Sequence, residues 1–324
     1  MPYLLSEARE RITVVDTRIT LRRLHVFCLV VDAGGVTRAA EQLLVAQPAV
    51  SAQLRSLESA LGAALFTRQG STLALTEVGA RVYEWARQVL ASATAVDRDV
   101  EELRDGMAGS VRIAASMAIG SYLLPPIMTR LKLRRPGADI TISIGHPAEM
   151  LRAAAIGEAD FAVATWIPSQ HDELHSELLW EEPLVLCASP HGPPDTDVID
   201  LAALTALPYV GVPRDSTFHH VLEAQLRDLG ISSWPHVLRL GHAEPIKRAV
   251  ADNNWVALVP LYAATDDFAS GRLRLVHIRG TSLTEGIGLF QRENAYLSPL
   301  KRAALGAIRA AAPARPQSGG EQQG

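Results

Sequence analysis

Three short groups of residues follow predicted strands, and two of them come directly before a predicted helix. These groups are Ser116-Met117-Ala118, Thr165-Trp166 and Ser216-Thr217. Backbone N–H groups at a helix start, together with a serine hydroxyl, can bind an anionic group, although a single such hydroxyl is more often an ordinary helix cap. Because all three groups lie at strand ends, the pattern predicts one shared ligand cleft. His242 lies at a further strand-to-helix junction, where it either joins this site or caps the helix.

A second set of polar residues lies on one face of a predicted helix between Gln47 and Leu61. This outer face consists of Gln47, Ala49, Ser51, Ala52 and Arg55. Glutamine can pair with adenine, arginine can bind guanine or phosphate, and serine can do either, so the face suits a DNA major groove. For one helix alone, a merely solvated face is the better explanation of the pattern.

The motifs of common enzyme classes do not occur in the sequence. It holds no phosphate-binding loop, no GxGxxG fingerprint, no HExxH pair and no nucleophile elbow. The adjacent His219 and His220 suggest a metal site, but neighbours on a helix point about 100° apart and no third histidine or cysteine follows at helical spacing. We expect no catalytic residue, no metal and no cofactor. An enzyme and an exported solute-binding protein remain the competing classes, and the latter would need an export signal.

Length and composition suit two or three soluble units. The 324 residues are 48% hydrophobic and 20% charged. Cys28 and Cys187 match no metal spacing, and no apolar run approaches the roughly 18 residues needed to span a bilayer, so we expect a cytoplasmic protein without membrane contact. The net charge is −4, yet residues 18–79 carry six cations and four anions. A basic start on an acidic chain is typical of a DNA-binding domain fused to another domain.

The first ninety residues predict a compact helical domain. Leu21, Leu24, Phe27 and Val31 recur at helical spacing, and residues 36–44 form a short alanine-rich second helix. The third helix begins at Gln47 with Pro48 in its first turn. Its predicted inner face consists of Val50, Leu54, Leu57 and Leu61.

A long helix from Thr76 to Arg104 carries a heptad seam. Its members are Val78, Val82, Trp85, Val89, Ser92, Val96, Val100 (or Asp99) and Leu103. Such a seam predicts that the helix pairs with another helix. The alternative is a surface helix that packs on its own domain.

Strands and helices alternate over the remaining two hundred residues. Predicted strands cover residues 111–115, 139–144, 161–165, 184–188, 209–212, 237–240 and 255–259. This rhythm predicts parallel sheets with ligand crevices at the strand ends. We expect two lobes, about 110–183 with 283–310 and about 184–282, and a disordered tail over 311–324.

One continuous stretch of sequence resembles the LysR-type transcriptional regulators. It comprises residues 34–43, Ala46-Gln47-Pro48-Ala49-Val50-Ser51-Ala52-Gln53-Leu54, Leu57-Glu58, Leu61-Gly62, Leu65-Phe66, Arg68 and residues 75–79. Gly109-Ser110-Val111-Arg112-Ile113, residues 157–162 and residues 257–260 are similar to short signatures of the family's effector domain. The resemblance implies an all-α winged helix-turn-helix (18–75), a dimerising linker helix (76–105) and an α/β effector domain (110–310) of periplasmic-binding-protein type. It also implies a wing at Thr72–Leu75.

The resemblance implies a regulator that binds double-stranded DNA and a small-molecule effector. Homodimers through the linker helix, homotetramers and contact with RNA polymerase are further expectations. The residues predicted to contact DNA are Thr37, Arg38, Gln47, Pro48, Ala49, Ser51, Gln53, Arg55 and Arg68. Gly35, Ala46 and Ala52 depart from the family pattern, and Ala52 stands where an arginine is common. The first seventeen residues precede the family's usual start and are expected to be a disordered arm or to follow a misassigned start codon.

Overall fold

The computed structural model describes residues 18–69, 72–105, 109–167, 174–293 and 295–313. The chain divides into two compact units, Met1–Ala95 and Val96–Gly324. The predicted N-terminal arm over 1–17 and the predicted tail from residue 314 onward lie outside the described residues.

The first unit is a small helical domain with a β-hairpin. Its elements are α1 (Leu21–Asp32), α2 (Val36–Leu43), α3 (Gln47–Leu61), β1 (Phe66–Gln69), β2 (Thr72–Leu75) and the start of α4 (Glu77–Asp105). The three helices have the bounds that the apolar spacing predicts, to within one residue. Their core is centred on Phe27, which is fully buried and packs edge-to-face on Phe66 and Tyr83.

The hairpin is one antiparallel strand pair, and its second strand has the bounds predicted for the wing, Thr72–Leu75. Phe66 pairs with Leu75 and Gln69 pairs with Thr72. Glu58 on α3 accepts a 2.8 Å hydrogen bond from the backbone N–H of Leu65, which ties the start of the hairpin to α3.

The predicted seam on α4 is divided between two environments. Val82 and Val89 pack on the helical core of the first unit, as do Tyr83, Ala86 and Leu90. Val78, Trp85, Val96 and Val100 are exposed by 41–59%. The seam prediction therefore needs correction at Val82 and Val89, because their own domain already covers them.

The second unit is an α/β fold. Its strands are β3 (Ser110–Ser116), β4 (Asp139–Gly145), β5 (Phe161–Thr165), β6 (His175–Ala188), β7 (Val198–Asp200), β8 (Tyr209–Gly211), β9 (His236–Arg239), β10 (Val256–Pro260), β11 (Arg274–Arg279) and β12 (Thr284–Gln291). Its helices are α5 (Leu124–Arg134), α6 (Pro147–Ala155), α7 (Thr217–Asp228), α8 (Ala243–Ala251), α9 (Leu261–Ala269) and α10 (Pro299–Arg309). A π-helical turn (Ile119–Leu123) precedes α5, and a 3₁₀ helix (Leu201–Ala206) precedes β8.

The sheet is mixed, whereas the strand–helix rhythm alone predicts parallel pairing. Its order is β4-β3-β5-β12-β6-β10-β8-β9. The outer groups β4-β3-β5 and β10-β8-β9 are parallel, while β12 and β6 are antiparallel to their neighbours. Residues 175–183 of β6 pair with β12, and residues 184–188 pair with β10 and β11. Two long strands thus join the two groups of parallel strands.

Each group of parallel strands has its own apolar core. We call residues 110–183 with 283–310 lobe I and residues 184–282 lobe II. The lobe I core includes Val111, Phe161 and Leu305, and the lobe II core includes Leu186, Val210 and Val256. Since each lobe has a separate core, a crevice forms where the parallel strands of both lobes end.

Candidate functional sites: the recognition helix and the interlobe cleft

The two faces of α3 differ as predicted in what they contact. Val50, Leu54 and Leu57 are no more than 7% exposed and pack in the helical core. Gln47, Pro48, Ala49 and Arg55 are exposed, and Ser51 is half-buried. Ala46, which precedes the helix, supplies no side-chain cap. The start of α3 therefore presents short and polar side chains to solvent on a rigid apolar base.

The remaining predicted DNA contacts have three different environments. Thr37 is exposed on α2, and exposed Arg38 donates a 2.9 Å hydrogen bond to the carbonyl of Gly34. Gln53 is half-buried, and its Oε1 accepts a hydrogen bond of 3.4 Å from Arg23 Nε on α1. Arg68 lies on β1, and its side chain is outside the described part of the structure.

A cavity of about 90 Å³ lies between the two lobes. Seven of the eight predicted ligand residues line it: Ser116, Met117, Ala118, Thr165, Ser216, Thr217 and His242. They come from the ends of β3 and β5 and the starts of α7 and α8. Apolar side chains, among them Phe218 and Ile246, line most of the remaining wall. The structure thus brings together residues that are up to 126 positions apart in the sequence.

Two of the polar lining residues are also helix caps. The hydroxyl of Ser216 accepts a 3.1 Å hydrogen bond from the backbone N–H of His219 at the start of α7. His242 Nδ1 accepts one of 3.2 Å from the N–H of Glu244 at the start of α8. When the His242 ring is neutral its proton is therefore on Nε2, since Nδ1 is an acceptor. Capping and cavity lining are compatible roles for both residues.

Ser116 differs from these capping residues because it ends a buried strand. It is 5% exposed, lies opposite Gly145 on β4 and immediately precedes Met117 and the π-helical turn. Among the described residues its hydroxyl makes no side-chain hydrogen bond. A buried hydroxyl at a cavity wall is suited to bind a ligand, because leaving it unpaired costs free energy.

Trp166 is the predicted ligand residue that does not line the cavity. Its ring stacks on Phe290 with centroids 5.8 Å apart, and its backbone N–H donates to the carbonyl of Gly286 at 2.7 Å. A Cβ atom at Gly286 would lie 2.7 Å from the Trp166 Cβ. The two glycines of β12, Gly286 and Gly288, make room for the indole, so Trp166 is directed onto β12 rather than into the cleft.

The cavity wall also contains a buried carboxyl group, that of Glu285, which is not among the predicted ligand residues. Glu285 on β12 lies directly opposite Glu182 on β6, and both are buried. Thr165 Oγ1 donates a hydrogen bond to one Glu285 oxygen, and the Tyr262 hydroxyl lies 3.4 Å from the other. Burial, with a smaller contribution from nearby Glu182, raises the pKa of Glu285 to about 7 despite the opposite effect of these hydrogen bonds. The wall therefore holds a group that gains or loses a proton near neutral pH.

A polar contact joins the lobes beside the cleft. The Tyr122 hydroxyl, in the π-helical turn of lobe I, donates 2.9 Å to Glu244 on α8 of lobe II. Lys247 Nζ lies 4.5 Å from the Tyr122 ring centroid and 2.6 Å from buried Asp267 on α9. Burial alone would raise the pKa of Glu244, but hydrogen bonds from Tyr122, Arg248 and Lys247 hold it at about 2. Glu244 is thus a charged acceptor for the interlobe bond.

Neither a metal centre nor a reactive thiol is found among the described residues. They contain no group of three or more histidine, cysteine or acidic side chains arranged to hold a metal ion. Cys28 and Cys187 are free and buried, and burial raises each thiol pKa to about 12, so neither is a thiolate at neutral pH. None of the helices in the described ranges is long and apolar enough to cross a bilayer.

Comparison with known proteins gives the class of both units. Residues 21–80 match the family model "Bacterial regulatory helix-turn-helix protein, lysR family", and residues 104–313 match "LysR substrate binding domain". The chain is 31% identical over 260 residues to the uncharacterized HTH-type transcriptional regulator YeiE of Escherichia coli (strain K12), covering 80% of this chain and 87% of that protein. It is 30% identical over 282 residues to CfxR of Cupriavidus necator, covering 87% and 88% respectively.

Solved structures show the same fold. The crystal structure of CbnR, described as a LysR family transcriptional regulator, aligns with a TM-score of 0.70 at 20% identity, covering 91% of this chain and all of CbnR. CbnR complexed with its target DNA aligns with a TM-score of 0.69. The chain belongs to the LysR family of bacterial helix-turn-helix regulators. It is a DNA-binding transcriptional regulator with an effector-binding domain, in a family whose members form oligomers.

Proposed function

We propose that the start of α3 reads the operator and that the interlobe cleft binds the effector without catalysing a reaction. Gln47, Ser51 and Arg55 supply the base and phosphate contacts, because they are the polar side chains on the outward face of a helix with a packed inner face. The effector carries an anionic group that the Ser116 hydroxyl and the helix starts at Ser216 and His242 bind. A regulator of this kind acts in the cytoplasm, where it reaches the chromosome.

The main support for this proposal is that four separate chain segments meet in one cavity. Ser116, Thr165, Ser216 and His242 follow different strands, yet all line the same space between the lobes. At about 90 Å³ the cleft is smaller than the usual space for a metabolite. Effector entry therefore requires the lobes to open first.

Dimerisation through α4 is the second part of the proposal. The exposed apolar residues Val78, Trp85, Val96 and Val100 lie along a helix of 29 residues. A second copy of α4 would cover them and place two α3 helices on a two-fold-related operator. Ligand-driven movement of the lobes would then change how the dimers, or tetramers built from them, sit on DNA.

A pair of serines on α3 provides the test of DNA reading. Ser51→Ala should weaken operator binding by about 1–3 kcal/mol, because a groove contact is lost. Ser59→Ala is the matched control, since Ser59 is an exposed serine two turns further along the same helix. Binding of both variants to the operator and to random DNA is measured at one fixed salt concentration.

Equal losses on operator and random DNA for Ser51→Ala would contradict base reading by this residue. Base reading by Ser51 is also contradicted if Ser59→Ala loses as much specific affinity as Ser51→Ala. Turnover of any bound effector candidate would contradict the non-catalytic part, and product analysis after prolonged incubation detects it.

A further inference from the structure

A second cavity lies within lobe II, between α7, β8 and β9. Its volume is about 540 Å³, roughly six times that of the interlobe cleft. This volume is in the range of ligand sites for metabolite-sized molecules. The residues that line it are distinct from those that line the cleft.

Basic side chains from three segments converge on this cavity. Arg214 precedes α7, His219 and His220 lie on α7, and His236 and Arg239 lie on β9. The carboxylate among the described lining residues is Glu223, which is half-exposed and pairs with Arg227 at 3.6 Å and His219 at 3.9 Å. Arg214 makes neither a hydrogen bond nor an ion pair within the described ranges. Two guanidinium groups of the described lining, Arg214 and Arg239, therefore face one carboxylate, which is shared with Arg227.

Arg239 is held in place at the cavity wall. Its Nη1 donates a 2.9 Å hydrogen bond to the carbonyl of Val212, and its Nη2 lies 3.1 Å from His236 Nδ1. Burial lowers the pKa of Arg239, and repulsion from Arg214 lowers it further. Two guanidinium groups that repel each other across a cavity favour an anion between them.

The base of the cavity is rigid. Tyr209 and Trp234 stack with ring centroids 3.8 Å apart, and Trp234 Nε1 donates a 3.0 Å hydrogen bond to the carbonyl of Leu207. The His236 ring packs edge-on against Tyr209, with centroids 4.7 Å apart. Fixed walls reduce the ordering cost of binding, because little of the site has to rearrange.

We propose that this cavity is a second ligand site, which binds a small oxyanion of the phosphate-ester or carboxylate class. Arg214 and Arg239 bind the anion, and His219 and His220 contribute further donors from α7. Guanidinium groups match both kinds of oxyanion in a two-pronged geometry. A regulator with this site responds to a second metabolite, independently of the ligand in the cleft.

Binding at this site is coupled to proton uptake. Burial lowers the pKa of His219 below its usual value and that of His236 to about 4, with Arg239 and Arg214 acting in the same direction on both rings. Glu223 opposes the shift at His219 and His220 adds to it, while burial keeps the hydroxyl of Tyr209, which also faces the cavity, protonated. A bound anion favours the protonated rings, so its affinity rises as the pH falls.

Calorimetric titration of the full-length protein with pyrophosphate and with citrate tests the site. Both are measured at about pH 6 and about pH 8 in buffers of equal ionic strength, so that general screening is constant. Arg214→Gln should weaken anion binding about tenfold, which corresponds to one charged hydrogen-bonded contact. Arg279→Gln is the matched control, because Arg279 is an exposed arginine of lobe II that pairs with Asp200 and lies outside the cavity lining.

The results distinguish the class of anion and show whether it binds in this cavity. Preference for pyrophosphate assigns the phosphate-ester class, and preference for citrate assigns the carboxylate class. Absence of saturable binding for both anions overturns the proposal, as does equal weakening by Arg214→Gln and Arg279→Gln. Binding abolished by Ser116→Ala but unchanged by Arg214→Gln places the anion in the cleft and also overturns it. None of these results bears on DNA reading by α3.

Discussion

The polar side chains of α3, the proposed recognition helix, are exposed to solvent, whereas those of the interlobe cleft are buried. On α3, exposed Gln47 and Arg55 extend from a helix whose inner face is buried in an apolar core. In the cleft, Thr165 and Glu285 are buried and hydrogen-bonded to each other across 120 positions of sequence. Substitutions on α3 should therefore change DNA affinity at little cost in stability, whereas substitutions in the cleft should change stability, pH response and ligand affinity together.

The buried Glu285 provides the strongest test of this difference. Its folded-state pKa of about 7 lies above the ordinary value of 4.5, so the folded protein retains a proton that the unfolded chain has already lost. Stability should therefore fall as the pH rises from about 4.5 to about 7. Glu285→Gln removes this fall and should be more stable than the parent at about pH 8, by roughly 3 kcal/mol, as measured by denaturant unfolding.

Glu181→Gln is the control for this measurement, because it removes an exposed carboxylate next to Glu182 on the same strand. It should leave the pH dependence of unfolding unchanged. Parallel stability curves for the parent and Glu285→Gln between about pH 5 and about pH 8 would show that the buried carboxyl does not set the pH response.

The exposed apolar stripe on α4, formed by Val78, Trp85, Val96 and Val100, leads to a prediction about dimer formation. Val96→Lys places a charge in the proposed helix pairing and should weaken dimer formation by about 2 kcal/mol, or roughly thirtyfold. Thr94→Lys adds the same charge to an exposed position about 200° around the helix. Sedimentation equilibrium should show dissociation for Val96→Lys alone, and equal association of both variants would exclude this stripe from the interface.

The smallest expected effect concerns the hydrogen bond that joins the two lobes. Tyr122→Phe removes the 2.9 Å hydrogen bond to Glu244 and should destabilise the contact between the lobes by about 1 kcal/mol. If the closed lobes hold the ligand, its apparent affinity should fall about fivefold, as read from ligand titration. Tyr296→Phe removes a hydroxyl from a half-exposed tyrosine of lobe I and should have no such effect. An unchanged titration for Tyr122→Phe would mean that this bond does not contribute to closure.

Local patterns explain why the DNA-binding unit could be predicted from the sequence. The bounds of α3 follow from Pro48 at its start, the apolar repeat of Val50, Leu54 and Leu57, and Gly62, whose φ of +66° ends the helix. All of these signals lie within sixteen consecutive residues. Seven of the cleft residues could also be placed, because strand ends and helix starts are local patterns as well.

Long-range packing explains what the sequence did not predict. The pattern predicts the second half of β6 alone, because Glu181, Glu182 and Pro183 interrupt its apolar run. In β12, two glycines and Glu285 weaken the sequence pattern of a strand. In the structure the glycines leave space for the Trp166 ring, and Glu285 accepts a hydrogen bond from Thr165. The division of the α4 seam likewise depends on which valines the helical core covers.

One experiment tests whether separate parts of this chain read DNA and sense a ligand. Operator affinity and ligand affinity are measured for Ser51→Ala and for Ser116→Ala, with a ligand found by screening small carboxylates, sugar phosphates and aromatic acids. Ser51→Ala should lose operator affinity and keep ligand affinity, while Ser116→Ala should show the reverse and lose the ligand's effect on DNA binding. Loss of both affinities in either folded variant, or full ligand response in Ser116→Ala, would contradict the account.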